Sequence, residues 1–314
     1  MRRILVLSLA ATVLAAIGLI SAVHSQGQKD EKEKVISRSR GNTDELANEA
    51  AHPGEAKAAA RPTRGNGITY HGGPLLGVVG QAPTYVYYIW YGNWSGNSAT
   101  TILSDLANNI GGSGYFNINS TYYNGSNAHV VNSVTYGGST TDNYSHGTSL
   151  SDAAIQAVVS SAITSGRLPQ NTSGVYFVLT SADVTASSGF CTQYCGWHTH
   201  GTISGLDIKY SFVGNPDRCP SSCAAQTVGP NGNAGADGMA SIISHELEEA
   251  VTDPDLNAWY DSRGQENADK CAWTFGTTTT LPSGAKYNMT LGGRNYLIQQ
   301  NWVNASGGFC AKSF

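Results

Sequence analysis

Six cysteines set the tightest limit on how this chain folds. They stand at Cys191, Cys195, Cys219, Cys223, Cys271 and Cys310, with none before them. A disulfide holds its two Cα atoms within about 7 Å, so bridged cysteines would pin the C-terminal part whatever its hydrophobic pattern. The N-terminus argues that they are bridged. "MRR" is a basic start, residues 4–20 form an almost unbroken apolar run, and Val23 and Ser25 place small residues just ahead of Gln26. That is the layout of a secretory signal peptide over residues 1–25. The run is short for a span and no other apolar run reaches spanning length, so no membrane span is expected after cleavage. The protein is therefore expected outside the cell, in the cell wall or in a periplasm. An even cysteine count in an exported chain predicts disulfides. The two C-x-x-x-C pairs are close enough to close locally, Cys191 with Cys195 and Cys219 with Cys223, which leaves Cys271 with Cys310. A four-cysteine zinc site is the competing use, and export to an oxidising compartment disfavours it.

Residues 26–66 read as a disordered charged linker or propeptide. They mix charges, Ala, Gly and Pro with almost no large apolar side chain, too little to offset the entropy of ordering. Residues 67–314 have the size of one domain, or of two lobes sharing a cleft. That part holds 8 Lys and Arg against 15 Asp and Glu, a net charge near −7. Such a balance argues against nucleic acid or an anionic membrane as partner.

Hydrophobic periodicity orders the domain. "TYVYYIWYG" reads as a buried strand. "SATTILSDLANNIGG" reads as a helix, with Ile102, Leu103, Leu106 and Ile110 on one face. "YFNINSTYY" and "HVVNSVTYGG" read as strands. "SLSDAAIQAVVSSAITSG" is a second helix capped by Ser149 or Ser151. "GVYFVLTS" and "LDIKYSFVG" are further strands, and a Gly-rich loop leads into a third helix. Two short strands are expected near "AKYNMT" and "NYLIQQNW". The order predicts an α+β fold: a twisted mixed sheet with helices, one of them motif-bearing and zincin-like, followed by a loop-rich, disulfide-stapled C-terminal part.

That third helix carries "SHELEEAVTDP", residues 244–254. It begins as the zinc-protease signature H-E-x-x-H and puts Glu249 where the second histidine would stand. On a helix, residues four apart share a face, so His245 and Glu249 can grip one divalent cation. Glu246 occupies the place of the carboxylate that takes a proton from the attacking water. Downstream, "GQENADKC" offers Glu266 as a third ligand and Asp269 as the residue that steadies the site. Asp253 is a competing carboxylate, and His198 in "CGWHTHG" can supply the imidazole that Glu249 does not. Nine of the domain's fifteen acidic residues fall between Asp237 and Asp269, a crowding that a cation or protons must relieve. Glu248 and Asp261 read instead as parts of a solvated acidic face. The donor set suits Zn2+ first, with Ca2+ as the oxygen-loving alternative. No nucleophile elbow, P-loop or dinucleotide fingerprint is present.

The segments "YHGGPLL", "VYYIWYGNW", "LPQNTSGVYFVLTSADV", "FCTQYCGWHT", "FVGNPDRCPSSCA", "PNGNAGADGM", "SHELEEAVTDP" and "NAWYD…ENADKC" together resemble the exordium-like, or phosphate-induced protein 1, family, over nearly all of residues 69–314. The resemblance implies a secreted, extracellular or cell-wall protein, linked in plants to growth and cell expansion, and brings no established reaction with it. Two expectations follow. One is a secreted zincin-like metallohydrolase acting on peptides. The other is a non-catalytic binding or growth-signalling protein whose metal braces the fold. Contact with a cell-surface polymer through Trp90 and Trp94 is a third use of the same surface, although strand aromatics more often sit in a core.

Overall fold

The computed structural model describes residues 33–36 and 66–314. The expected signal peptide over 1–25, and the 26–66 segment apart from residues 33–36 and 66, lie outside the described residues. Among the described residues no helix is long and apolar enough to cross a membrane.

A six-stranded mixed sheet forms the centre. Its strands are β1 (Glu33–Ile36), β2 (Thr84–Tyr91), β3 (Val134–Asp142), β4 (Gly174–Thr180), β5 (Tyr194–Ile203) and β6 (Leu206–Val213). They lie in the order β1-β5-β6-β4-β2-β3. The pairs β2–β3, β2–β4 and β4–β6 are parallel, whereas β5 returns antiparallel to β6 and β1 pairs antiparallel with β5. Parallel strands must be covered on both faces. Accordingly β4 is buried along its whole length, and β2 along all but Tyr85. The crossover helices α1 (Ala99–Asn109) and α2 (Asp152–Thr164) lie between the parallel strands in sequence. Ile102, Leu103 and Leu106 of α1 and Ile155, Val158 and Val159 of α2 are buried as the periodicity requires. The Ser151 hydroxyl accepts the Ala154 amide and starts α2.

Two sequence readings need correction. "YFNINSTYY" is not a strand; Phe116–Thr121 form a 3-10 turn. The Ser113 hydroxyl accepts the Phe116 amide and the Ser113 carbonyl accepts that of Asn117, which winds the chain before it can extend. The disulfides are Cys191–Cys219, Cys195–Cys223 and Cys271–Cys310. Only the last follows the expected pairing. Cys195 stands on β5 while Cys219 and Cys223 flank one turn of helix, α3 (Pro220–Cys223). Two residues four apart on a helix point the same way, so this pair bridges outward to Cys191 and Cys195 rather than to each other. Both bridges therefore tie the start of β5 to the segment that leads into the last helix.

That helix, α4 (Ala234–Thr252), is started by the Asn233 side chain, which accepts the Ala236 amide. It is buried all round; only Ala234 and Gly238 reach beyond full burial. A helix of 19 residues enclosed in this way normally reads as uniformly apolar. Here it carries His245, Glu246, Glu248 and Glu249 into the interior. Trp90 and Trp94 are core residues as well, packed edge to face with centroids 5.4 Å apart, and offer no polymer-binding face.

Candidate metal centre

The site forms where β5 meets α4, and one glycine permits the approach. A Cβ at Gly196 would lie 2.6 Å from Cγ2 of Ile242 and 2.9 Å from Oε1 of Glu246. Without a side chain there, the strand settles onto the helix and His198, two residues on and so on the same face, turns toward Glu246 and Glu249. Nδ1 of His198 lies 3.4 Å from Oε2 of Glu246 and 3.7 Å from Oε2 of Glu249. Nε2 of the same ring lies 3.4 Å from the Asp253 carbonyl and 3.8 Å from Oε2 of Glu266. A carbonyl only accepts, so Nε2 carries the proton in that contact and Nδ1 presents its lone pair. Nδ1 has no hydrogen-bond partner and the residue is fully buried. Burial lowers the imidazole pKa to about 4, which keeps the ring neutral.

His245 occupies the next position around the centre. Its Nε2 is 2.8 Å from Oε1 of Glu249 and 3.6 Å from Oδ1 of Asp269. The approach to Glu249 is close, yet neither ring nitrogen makes an aligned hydrogen bond. Glu249 spans the centre, with Oε1 toward His245 and the Asp269 amide, which donates to it at 3.0 Å, and Oε2 toward His198. Around a tetrahedral zinc with bonds near 2.1 Å, ligand atoms stand about 3.4 Å apart. Ligand atoms of His198, Glu246 and Glu249 lie within 4.8 Å of one another, as do those of His245, Glu249 and Asp269. The two groups are distinct and share Glu249, and each could hold a divalent cation.

Electrostatics point the same way. Burial alone pushes the His245 imidazole down, but Glu249, Asp269 and Glu246 outweigh it and hold the ring well above its ordinary value. Burial pushes the Glu249 carboxyl up, His245 draws it down, Asp269 pushes it up again, and the balance is about 7. Without a cation, protons hold these groups together.

The remaining sequence candidates separate clearly. Glu266 is buried, with its Oε2 3.8 Å from Nε2 of His198. Asp269, on the 3-10 turn that the Cys271–Cys310 bridge holds, is brought to both His245 and Glu249. The Asp253 carboxylate is engaged elsewhere: Oδ1 accepts the amides of Asn257 and Ala258 and shapes the loop, while its backbone carbonyl orients His198. Glu248 is not on a solvated face. It is fully buried, the Asn301 side-chain amide donates to its Oε2 at 2.6 Å, and burial raises its pKa well above the ordinary value. Asp261 is nearly buried too and anchors its loop through Lys270 at 3.2 Å. Gly196 is the residue that spacing arguments missed. Its signal was an isolated glycine inside an aromatic, β-branched run, which marks a close backbone approach.

Residues 68–312 match the family described as Phosphate-induced protein 1 conserved region. Protein EXORDIUM-like 3 of Arabidopsis thaliana is 35% identical over 275 residues, covering 75% of this chain and 80% of that relative. Protein EXORDIUM-like 5 of the same plant is 33% identical over 276 residues, 75% of each chain. Protein PHOSPHATE-INDUCED 1 of Nicotiana tabacum is 27% identical over 276 residues, 74% of this chain and 83% of its own. No solved structure matches the chain. The chain belongs to the phosphate-induced protein 1 family.

Proposed function

From that membership as premise, we propose that this is a secreted member of the family with a divalent-metal centre, and that the centre serves a zincin-like hydrolysis of peptides. The observation that carries the reading is the unpartnered lone pair of His198 Nδ1, fully buried and facing the carboxylates of Glu246 and Glu249 at 3.4 and 3.7 Å. An imidazole lone pair turned on carboxylates in a dry interior is costly unless a cation or protons stand between them. His198, His245 and Glu249 would hold it, with Asp269 and Glu266 beside them. Two imidazoles favour zinc over calcium, which takes oxygen ligands. The hydrogen bond of His198 to the Asp253 carbonyl is the outer contact that fixes a ligating tautomer.

The chemistry such a cation supplies when bound is polarisation of a carbonyl and acidification of water. In this reading Glu246 would take the proton of the attacking water and return it to the leaving amine. Three disulfides suit an exported protein, and export is part of the proposal. Full burial of His198, His245, Glu246 and Glu249 favours a second reading, in which the metal only braces β5 against α4.

The test is the purified chain, prepared without chelators, with metal content and cleavage of a peptide library measured for the wild type and Glu246→Gln. The hydrolase reading expects equal metal and a cleavage rate lower by about 10²–10⁴-fold in the variant. Metal in both and cleavage in neither leaves the brace. No metal in either overturns the centre.

A further inference from the structure

The site is enclosed, and one further segment runs along the strand that carries His198. Strand β1 sits on the outer edge of β5, with Glu33 opposite His198, Lys34 opposite Trp197, Val35 opposite Gly196 and, after a bulge, Ile36 opposite Tyr194. It also comes close to α4. These four residues precede the family domain, which begins at residue 68. Without them β5 is the sheet's terminal strand, and the backbone groups that pair with Glu33–Ile36 lose those partners. An edge of this kind takes an extended peptide by adding it as a strand. The stretch is also set beside the chemistry, because the residue opposite Glu33 is the candidate ligand His198.

We propose that the outer edge of β5 over Tyr194–His198 is a seat for an extended polypeptide bound antiparallel, and that Glu33–Ile36 hold that seat in the full-length chain. The proposal deepens the peptide-hydrolase reading and rests on it for the meaning of the bound peptide, as a substrate class recognised by backbone pairing. Occupation by the chain's own segment keeps other peptides out until it is displaced or removed. A covalently joined segment acts at an effective concentration on the order of 1 mM. Against a peptide whose own affinity is about 0.1 mM, that weakens apparent binding roughly tenfold.

The experiment uses the full chain and a variant carrying Lys34→Pro with Val35→Pro. Adjacent residues of a strand alternate their hydrogen-bonding direction, so the pair removes an amide donor whichever residue faces β5. The probe is a labelled synthetic peptide of residues 29–40, followed by fluorescence anisotropy, with a second copy N-methylated at alternate residues. The variant is expected to bind the peptide about tenfold more tightly than the unaltered chain, and the N-methylated copy not at all. Hydrogen exchange at residues 194–198 is expected to be slow in the unaltered chain, fast in the variant, and slow again when peptide is added. Equal affinity for both chains, no binding to the variant, or equal binding of the N-methylated copy overturns the proposal; so does unchanged exchange. None of these readouts involves metal or cleavage, so a failed metal centre and a failed peptide seat are told apart.

Discussion

Glu248 and Glu249 are neighbours on one helix and equally buried, yet they face opposite chemistry. Glu249 looks at two imidazoles and an aspartate, with an oxygen and three ring nitrogens that no aligned hydrogen bond satisfies. Glu248 looks at Asn301, with Asn119, Tyr115 and Tyr122 close enough to shape its titration or be shaped by it. The charge of His245 draws its titration down, against the larger effect of burial. Burial raises both carboxyls. What differs is the partner. An amide neighbour accepts a neutral acid, whereas opposed lone pairs call for a cation or for shared protons. Buried acidity therefore does not mark a site by itself; the donor atoms turned toward it do.

The widest separation between the two glutamates is expected from removing Glu249. Glu249→Ala should weaken zinc binding by more than about 100-fold in calorimetric titration, since it withdraws the oxygen donors that reach both imidazoles. It should also destabilise the chain by about 3 kcal/mol, because it strands a buried charged partner. Retained affinity would remove the distinction between the two faces.

Gly196→Val attacks the same face from the strand side. The added side chain would overlap Ile242 and Glu246, so strand and helix must part. Chemical denaturation should show a loss of about 1–3 kcal/mol, with weakened metal binding and an intact Glu248 environment.

pH sharpens the contrast in the metal-free protein. Glu249 and Asp253 keep protons up to about pH 7 in the folded state that the unfolded chain has lost, so stability falls as pH rises to that point. His245 is raised and adds a loss above its ordinary value of 6.5. His198, lowered to about 4, has the opposite sign and contributes a gain from about 4 to 6.5. Above pH 6.5 only losses remain. The metal-free chain should melt roughly 5 °C lower at pH 8 than at pH 6.5. With saturating zinc the melting temperature should not fall, because the ligands are then held without their protons. A metal-independent pH profile would count against the centre.

The smallest effect is expected for Glu248→Gln. Burial favours the neutral carboxyl beside Asn301, so the substitution should change stability by less than about 1 kcal/mol and leave zinc affinity unaltered. A large loss of metal would place Glu248 in the site and dissolve the comparison.

Much of this arrangement was legible from residue order. Thr84–Tyr91, Gly174–Thr180 and Leu206–Val213 are runs of aromatic and β-branched residues, and Ile155, Val158 and Val159 repeat at helical spacing, so strands and helices followed from local pattern. His245 with Glu249 followed from one helical turn. The conjunction of His198 with that pair did not. It depends on β5 crossing back along β6 and on the missing side chain of Gly196, both of which are tertiary facts. Glu248 was misplaced for a related reason. An acidic residue on an amphipathic helix belongs in solvent, and only enclosure of α4 from all sides, together with Asn301 from a distant strand, overrides that rule. The cysteine pairing was likewise decided by how α3 faces β5 and not by sequence proximity.

The central claim is that one cation joins His198, His245 and Glu249. Anomalous diffraction from crystals of the wild-type chain grown with zinc, collected on both sides of the zinc absorption edge, tests it most directly. The account predicts a single strong edge-dependent peak at ligand distance from Nδ1 of His198, Nε2 of His245 and a Glu249 oxygen. A map with no peak there, and with those side chains hydrogen-bonded to one another instead, would contradict it.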